Sequence, residues 1–505
     1  MHPKSPSIFL NCTMAMLLFF GAFAGSESSA FPGTDPNIVI ILCDDLGYGD
    51  VQCLNQNHGK IKTPNADQLA REGMVFTDAH SGSSVCTPTR YGLLTGRYSW
   101  RTSLQKGVVT GFAPCLIERN RPTIASFLKS IDYQTGIIGK WHLNFQYVDE
   151  KTKKTLLRSE HKLPPVGSLI PDGPLSRGFD YFHGFHHARD MKAVVENEQV
   201  VAHDAEVNML PRLTQECVKF IDSKAGETKP FFLYVPLGSP HTPIVPSPDW
   251  KGKSGLGDYA DFVMETDHCV GQITSALEKN GLTGNTLVIF SSDNGCSKAA
   301  GIQKLAKLGH RVSGDLRGSK ADIWDGGHRI PFIAKWQGKI EPGSTSDQLI
   351  CLNDLFATIC DITGRKIPNG SCEDSISFLP AFSDEPIPSK RKGIIHHSVS
   401  GHFAYRSANW KLALAKGSGG WSSPNEKQAT KKKAIGAQLY DLENDLGETK
   451  NLFEARPDVA NRMLRELTNY VTSGRSTPGP QSMNDLPSEK IKLWKSGKID
   501  SAKIR

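Results

Sequence analysis

Apolar positions in this chain fall into short unbroken runs, separated by longer stretches with helical spacing. The first run, over residues 37–43, carries Ile38, Val39, Ile40, Ile41 and Leu42 without a polar position between them. A β-branched run with no alternation predicts a strand buried on both faces. Comparable runs occupy 135–138, 231–235, 286–290 and 331–334, while 65–72, 123–130 and 259–279 carry the spacing of helices. Strands alternating with helices predict an α/β architecture, a large and mostly parallel or mixed sheet sandwiched by helices. The pattern changes near residue 390. Short runs at 394–399, 403–406, 410–415 and 438–442 are joined by turns, and an amphipathic stretch follows at 457–472. These predict a smaller C-terminal α+β domain with an antiparallel sheet. The expected boundaries are a large domain over 34–390, a small one over 391–475 and a flexible basic tail over 476–505. The lysine-rich segment 427–433 reads as a solvated loop.

The N-terminus follows another pattern. His2 and Lys4 precede an apolar stretch over 8–24, interrupted by Asn11, Cys12 and Thr13 and followed by the small residues Ser28, Ser29 and Ala30. This is too short and too broken for a spanning helix and predicts a secretory signal over 1–30. No later stretch is long enough to cross a membrane. The expectation is an exported protein without stable membrane insertion, periplasmic or extracellular, or secretory or lysosomal in a eukaryote. Composition changes little: among 505 residues, 38% are hydrophobic and 22% charged, as in ordinary globular chains. The formal charge of +7 is spread along the sequence. That argues against a nucleic-acid partner and suits an acidic substrate. Of eleven cysteines, setting aside Cys12 and Cys86 leaves nine. An odd number leaves at least one thiol free if pairing is internal, and the spacings do not read as a zinc site.

Two of the apolar strands end in oxygen donors. The first runs into Asp44-Asp45, and the strand at 286–290 runs through Ser291 and Ser292 into Asp293-Asn294. Ligands of open α/β sheets gather at the carboxyl ends of strands. Three carboxylates and an amide oxygen meeting there form a hard donor set, suited to Ca²⁺ or Mg²⁺. Either pair alone is equally readable as a turn or helix cap.

Cys86 opens the run Cys86-Thr87-Pro88-Thr89-Arg90, followed by Leu94-Thr95-Gly96. Pro88, with fixed φ and no N–H, fits the first turn of a helix and places Cys86 at its N-terminus. Unpaired backbone donors and the positive dipole end make that an anion site. Arg90, one turn on, offers a planar fork to oxyanions.

This run resembles the signature of the sulfatase family, formylglycine-dependent members of the alkaline-phosphatase-like superfamily. Gly139-Lys140-Trp141-His142, Ser239-Pro240-His241-Thr242-Pro243, Arg317-Gly318-Ser319-Lys320, Gly178-Phe179-Asp180 and Leu439-Tyr440-Asp441-Leu442 resemble later segments of the same family. Thr89 stands where the family more often has Ser or Ala. The resemblance implies that a maturation enzyme oxidises Cys86 to formylglycine (3-oxoalanine), whose hydrate attacks the sulfur of a sulfate ester. It implies a metal, Ca²⁺ in preference to Mg²⁺, held by Asp44, Asp45, Asp293, Asn294 and residue 86. Asn294 matters here, since related zinc phosphodiesterases often carry His at that turn. Arg90, Lys140 and Lys320 would bind sulfate, His142 would contact the hydrate, and His241 or Lys320 would protonate the leaving oxygen.

The implied substrate is a sulfated carbohydrate or an aryl sulfate. His183, His186, His187, Arg189 and His402 could line its pocket or be polar residues without that role. Two other readings stand beside the exported sulfatase. One is a phosphonate or phosphate ester hydrolase of the same superfamily, and the other an inactive protein that captures sulfated glycans.

Overall fold

The computed structural model describes residues 1, 35–387 and 391–493. The expected signal segment beyond its first residue and the last twelve residues therefore lie outside the described residues. Among the described residues no helix is long and apolar enough to cross a membrane.

The run at the start of the chain forms the strand Asn37–Cys43, near the middle of a ten-stranded sheet. It pairs in parallel with Phe231–Pro236 on one side and Thr286–Ser292 on the other. Gln134–Lys140 lies parallel beyond Phe231–Pro236, and Tyr181–Phe185 parallel beyond that. Five adjacent strands thus point the same way, so their carboxyl ends share one edge of the sheet. The remaining edges are mixed. Phe332–Lys335 runs antiparallel to Thr286–Ser292, and Ala193–Glu196 and Gln199–His203 close the far side as an antiparallel pair.

The absence of alternation in the strands has its physical reason in two cores. Ile38, Ile40 and Leu42 face one, with Leu93, Leu94, Ile124 and Phe356 from helices over that face. Val39, Ile41 and Cys43 face the other, with Leu69, Leu213, Val263 and Ile273 from helices on the opposite side. Both faces of the sheet are dry.

The small sheet is four-stranded and antiparallel, in the order Ile394–His397, Phe403–Ser407, Trp410–Ala413, Gln438–Asp441. The helix Pro457–Thr472 lays Met463 and Leu467 on it. Tyr98 and Trp100, from the large domain, complete that core. The segment 427–433 departs from the expected loop. The helix Glu426–Lys431 occupies most of it, with the Asn425 side chain capping the backbone N–H of Gln428. The stretch after 475 is tied down through Arg97 and Arg101, which donate to Asp485 and Asn484 at 2.9 Å each. All ten described cysteines are unpaired thiols.

Candidate active site

The two acidic strand ends meet because their strands are neighbours in register, Cys43 opposite Ser292. Asp293 donates its backbone N–H to the Cys43 carbonyl at 3.0 Å. Asp45 donates its own to Asp293 Oδ1 at 3.2 Å, and Asn294 Nδ2 donates to Asp45 Oδ1 at 2.8 Å. All four side chains are buried. Within this group Asp45 Oδ2 and Asn294 Oδ1 have no hydrogen-bond partner. Buried oxygens are rarely left so, and each unpaired one costs roughly 1–3 kcal/mol.

Cys86 is the first residue of the helix Cys86–Thr95, with Val85 extended before it. Its thiol donates to Asp44 Oδ1 at 3.3 Å and lies 3.4 Å from Lys320 Nζ. One turn along, Arg90 donates through Nε and Nη2 to Asp293 Oδ2, at 3.1 and 2.8 Å, and through Nη1 to the Lys140 carbonyl at 3.1 Å. The helix start is thereby fastened to both acidic strand ends.

Lys140, the last residue of its strand, pairs with Asp44 Oδ2. It is placed by Gly139, whose φ is +140° and where a Cβ would stand 2.0 Å from the Pro236 carbonyl. Only glycine allows that approach. Lys320 pairs with Asp45 Oδ1 at 2.5 Å, and its N–H holds the Cys296 carbonyl at 2.9 Å. His241 Nε2 lies 3.7 Å from Asp45 Oδ2. His142 stands one step back: its carbonyl accepts the Thr87 hydroxyl at 3.1 Å, and its Nε2 is 3.0 Å from the Val109 carbonyl. Its Nδ1 is unpartnered. His187 packs against that ring at 4.6 Å, brought there as parallel pairing continues through His142 and His186. His183 and His402 are engaged elsewhere, with Glu196 and the Leu414 carbonyl.

Burial works against every charge in this group, and the neighbours decide which survive. It opposes ionisation of Asp44, yet Lys140, His241, Arg90 and Lys320 together hold that carboxyl well below the usual range. Burial and the Asp44 charge push Asp293 up to about 7, against Arg90 and Lys140. The Cys86 thiol is pushed far up by burial and by Asp293, so it is no thiolate nucleophile as it stands. Burial lowers His142 well below the usual imidazole value, and it lowers His241 too, against the pull of Asp44 and Asp45. The geometry offers a hard-cation pocket beside a helix N-terminus, with an arginine and two lysines converging on it.

The Sulfatase family profile matches residues 36–365. The chain belongs to the sulfatase family. It is 30% identical to an N-acetylgalactosamine-6-O-sulfatase of Bacteroides thetaiotaomicron, over 87% of this chain and 93% of the relative. It is also 30% identical to arylsulfatase A of Bos taurus, over 92% of each chain. A solved structure from work on the metabolism of multiple glycosaminoglycans by Bacteroides thetaiotaomicron superposes with a TM-score of 0.72 at 27% identity. It covers 86% of this chain and 99% of its own. This sulfatase is therefore a sulfuric ester hydrolase with the alkaline-phosphatase-like fold.

Proposed function

We propose that this sulfatase is exported and releases inorganic sulfate from a sulfated carbohydrate, using a formylglycine at position 86 and a calcium ion beside it. The observation that carries the reading is the burial of Cys86 at a helix N-terminus, between Asp44 and Lys320, next to two buried oxygens without partners. A thiol so placed is inert, whereas an oxidised carbon at the same point faces the sulfate-binding cations. Asp44, Asp45, Asp293 and Asn294 fit a hard divalent ion by donor chemistry, and residue 86 completes the set. Burial and, after it, the Asp44 charge press Asp293 upward, and such an ion would oppose both. Bound there, the ion supplies positive charge to the sulfate oxygens and to the residue 86 hydrate.

The chain's own residues supply the rest. Lys140 pairs with Asp44 and Lys320 with Asp45 at the pocket, and with Arg90 they would supply the positive charge that holds the sulfate oxygens. Formylglycine contributes a hydrated aldehyde whose oxygen is the nucleophile toward sulfur. On this reading Asp293 takes the proton of that hydroxyl, and His241 or Lys320 gives one to the departing alcohol oxygen. The unpartnered Nδ1 of neutral His142 is available to accept a proton when sulfate leaves. The likeness to an N-acetylgalactosamine-6-O-sulfatase over most of both chains supports a sulfated sugar as substrate.

The test is inorganic sulfate release from an aryl sulfate and from sulfated hexosamines, by protein made together with a formylglycine-generating enzyme. Release is the expected result. Faster cleavage of a matched phosphonate ester than of any sulfate would overturn the assignment.

A further inference from the structure

A groove of about 970 Å³, lined by Ser319 next to Lys320 in the chain, has one-sided chemistry. Lys298, Lys304, Lys307 and Arg317 line it, no Asp or Glu does, and the indole of Trp421 stands in it 42% exposed. Lys298, Lys304 and Lys307 are exposed, and none pairs with a carboxylate among the described residues. Three unbalanced ammonium groups beside an exposed indole are unfavourable for an idle surface, because like charges repel and the apolar ring stays wet.

The groove and the site are joined through the backbone. The turn carrying Asp293 and Asn294 continues through Cys296 directly to Lys298. Ser319, which lines the groove, immediately precedes Lys320. A single carboxylate joins the two regions. Asp322 Oδ2 accepts the Ser319 N–H at 3.0 Å, while its Oδ1 accepts the Trp421 and Ser422 N–H groups at 2.9 and 3.0 Å. The loop that presents Lys320 to residue 86 and the loop that presents Trp421 to solvent are thus held in one geometry. Lys298 Nζ lies 5.0 Å from the Trp421 ring centre, so a cation and a flat apolar face are offered at the same place.

We infer that this groove is a subsite for a second, uncleaved sugar unit of a multiply sulfated oligosaccharide. Trp421 stacks on the apolar face of the ring, and Lys298 and Lys304 hold a sulfate that is not being removed. The inference rests on the proposed reading of the pocket and extends it, since a substrate with one sulfate and one ring leaves the groove unused. A run of stacked bases would need several aromatics along a track, and only one is exposed here.

The test titrates the full-length protein calorimetrically with sulfated maltohexaose, with unsulfated maltohexaose and with a single-stranded oligonucleotide of matched charge, at low and high salt. The sulfated sugar is expected to bind, more weakly at high salt, and to lose about tenfold in affinity in Trp421→Ala and in Lys298→Ala/Lys304→Ala. Trp421→Tyr should recover most of that loss. Turnover of a small aryl sulfate should be unchanged in all three variants, while KM for a multiply sulfated oligosaccharide rises. Unaltered affinity in the variants would overturn the inference, as would equal binding of the unsulfated sugar or of the oligonucleotide. Absence of aryl sulfate turnover in the unaltered protein would instead strike the proposed function, and the titration would still decide whether the groove binds the sulfated sugar.

Discussion

Asp44, Asp45, Cys86 and the half-buried His241 form one cluster of metal-capable side chains in this sulfatase, with Asp293 and Asn294 bonded against Asp45. His80, His328 and His396 form another, where the small sheet meets the large domain. In the first, Asp45 Oδ2 and Asn294 Oδ1 lack partners, and Lys140 and Lys320 pair with Asp44 and Asp45. In the second, the outward ring nitrogens are held by oxygen acceptors. His80 Nε2 meets Asp78 Oδ1 at 2.8 Å, His328 Nε2 the Ile323 carbonyl at 3.1 Å, and His396 Nδ1 the Ser81 carbonyl at 3.1 Å. That resembles the outer shell of a zinc site. The rings forbid it, however. His328 and His396 stack at 3.7 Å with planes only 10° apart, so their in-plane lone pairs cannot converge on one ion. Lys411 Nζ completes the group, 2.6 Å from Asp325 Oδ1 and 2.8 Å from Glu448 Oε1. Buried polar side chains therefore gather at the strand ends in one place and, as a connector, join the small sheet to the large domain in the other. What separates them is ring geometry, since His396 Nε2 also lacks a partner but its ring lies flat on His328.

The largest effect should come from the pocket. Cys86→Ser is expected to lower sulfate release by at least about a thousandfold with an unchanged melting temperature, read by turnover and calorimetry side by side. Retained turnover would remove residue 86 from the chemistry. The connector should respond in the opposite way. Lys411→Met leaves Asp325 and Glu448 buried without their cation, and should cost about 3–5 kcal/mol in denaturant unfolding. Sulfate release per folded molecule should stay near its original value.

Metal content separates the clusters next. Asp45→Asn should abolish the calcium retained after dialysis and lower kcat/KM about a hundredfold, whereas His396→Asn should leave retained calcium unchanged, both read by elemental analysis. Loss of the ion in the histidine variant would merge the two clusters. The smallest effect is on pH dependence. Burial lowers His80, His328 and His396 below their usual pKa, so the folded state stays neutral while the unfolded chain takes up protons below about 6.5. Their contribution is present above that pH and is lost as pH falls. Each costs up to about 1.4 kcal/mol per pH unit, and His396→Asn should remove one such share of the slope.

The pocket could be read in the sequence and the connector could not, for a physical reason. Asp44-Asp45 and Asp293-Asn294 close apolar runs that local pattern identifies as strands, and parallel strands deliver their ends to one edge. The Cys86 run carries its helix start in Pro88. His80, His328 and His396 sit in three distant segments with nothing local to relate them, and only the docking of the small sheet stacks their rings. The antiparallel strands at the sheet's far side were hidden likewise, since pairing direction there is settled by partners rather than by pattern. The helix Glu426–Lys431 had a signal, Asn425 three residues before Gln428, which the lysines around it obscured. Trp421 is an aromatic in a polar loop of glycines and serines, a signal that means little until Asp322 is seen to anchor it.

The central claim is that residue 86 works as an aldehyde rather than as a thiol. Its most direct test is the mass of the tryptic peptide spanning 72–90, from protein made with its maturation enzyme. The account predicts a loss of about 18 Da from the cysteine form, as SH₂ is replaced by O. An unmodified cysteine in protein from its native source, with sulfate release intact, would contradict it.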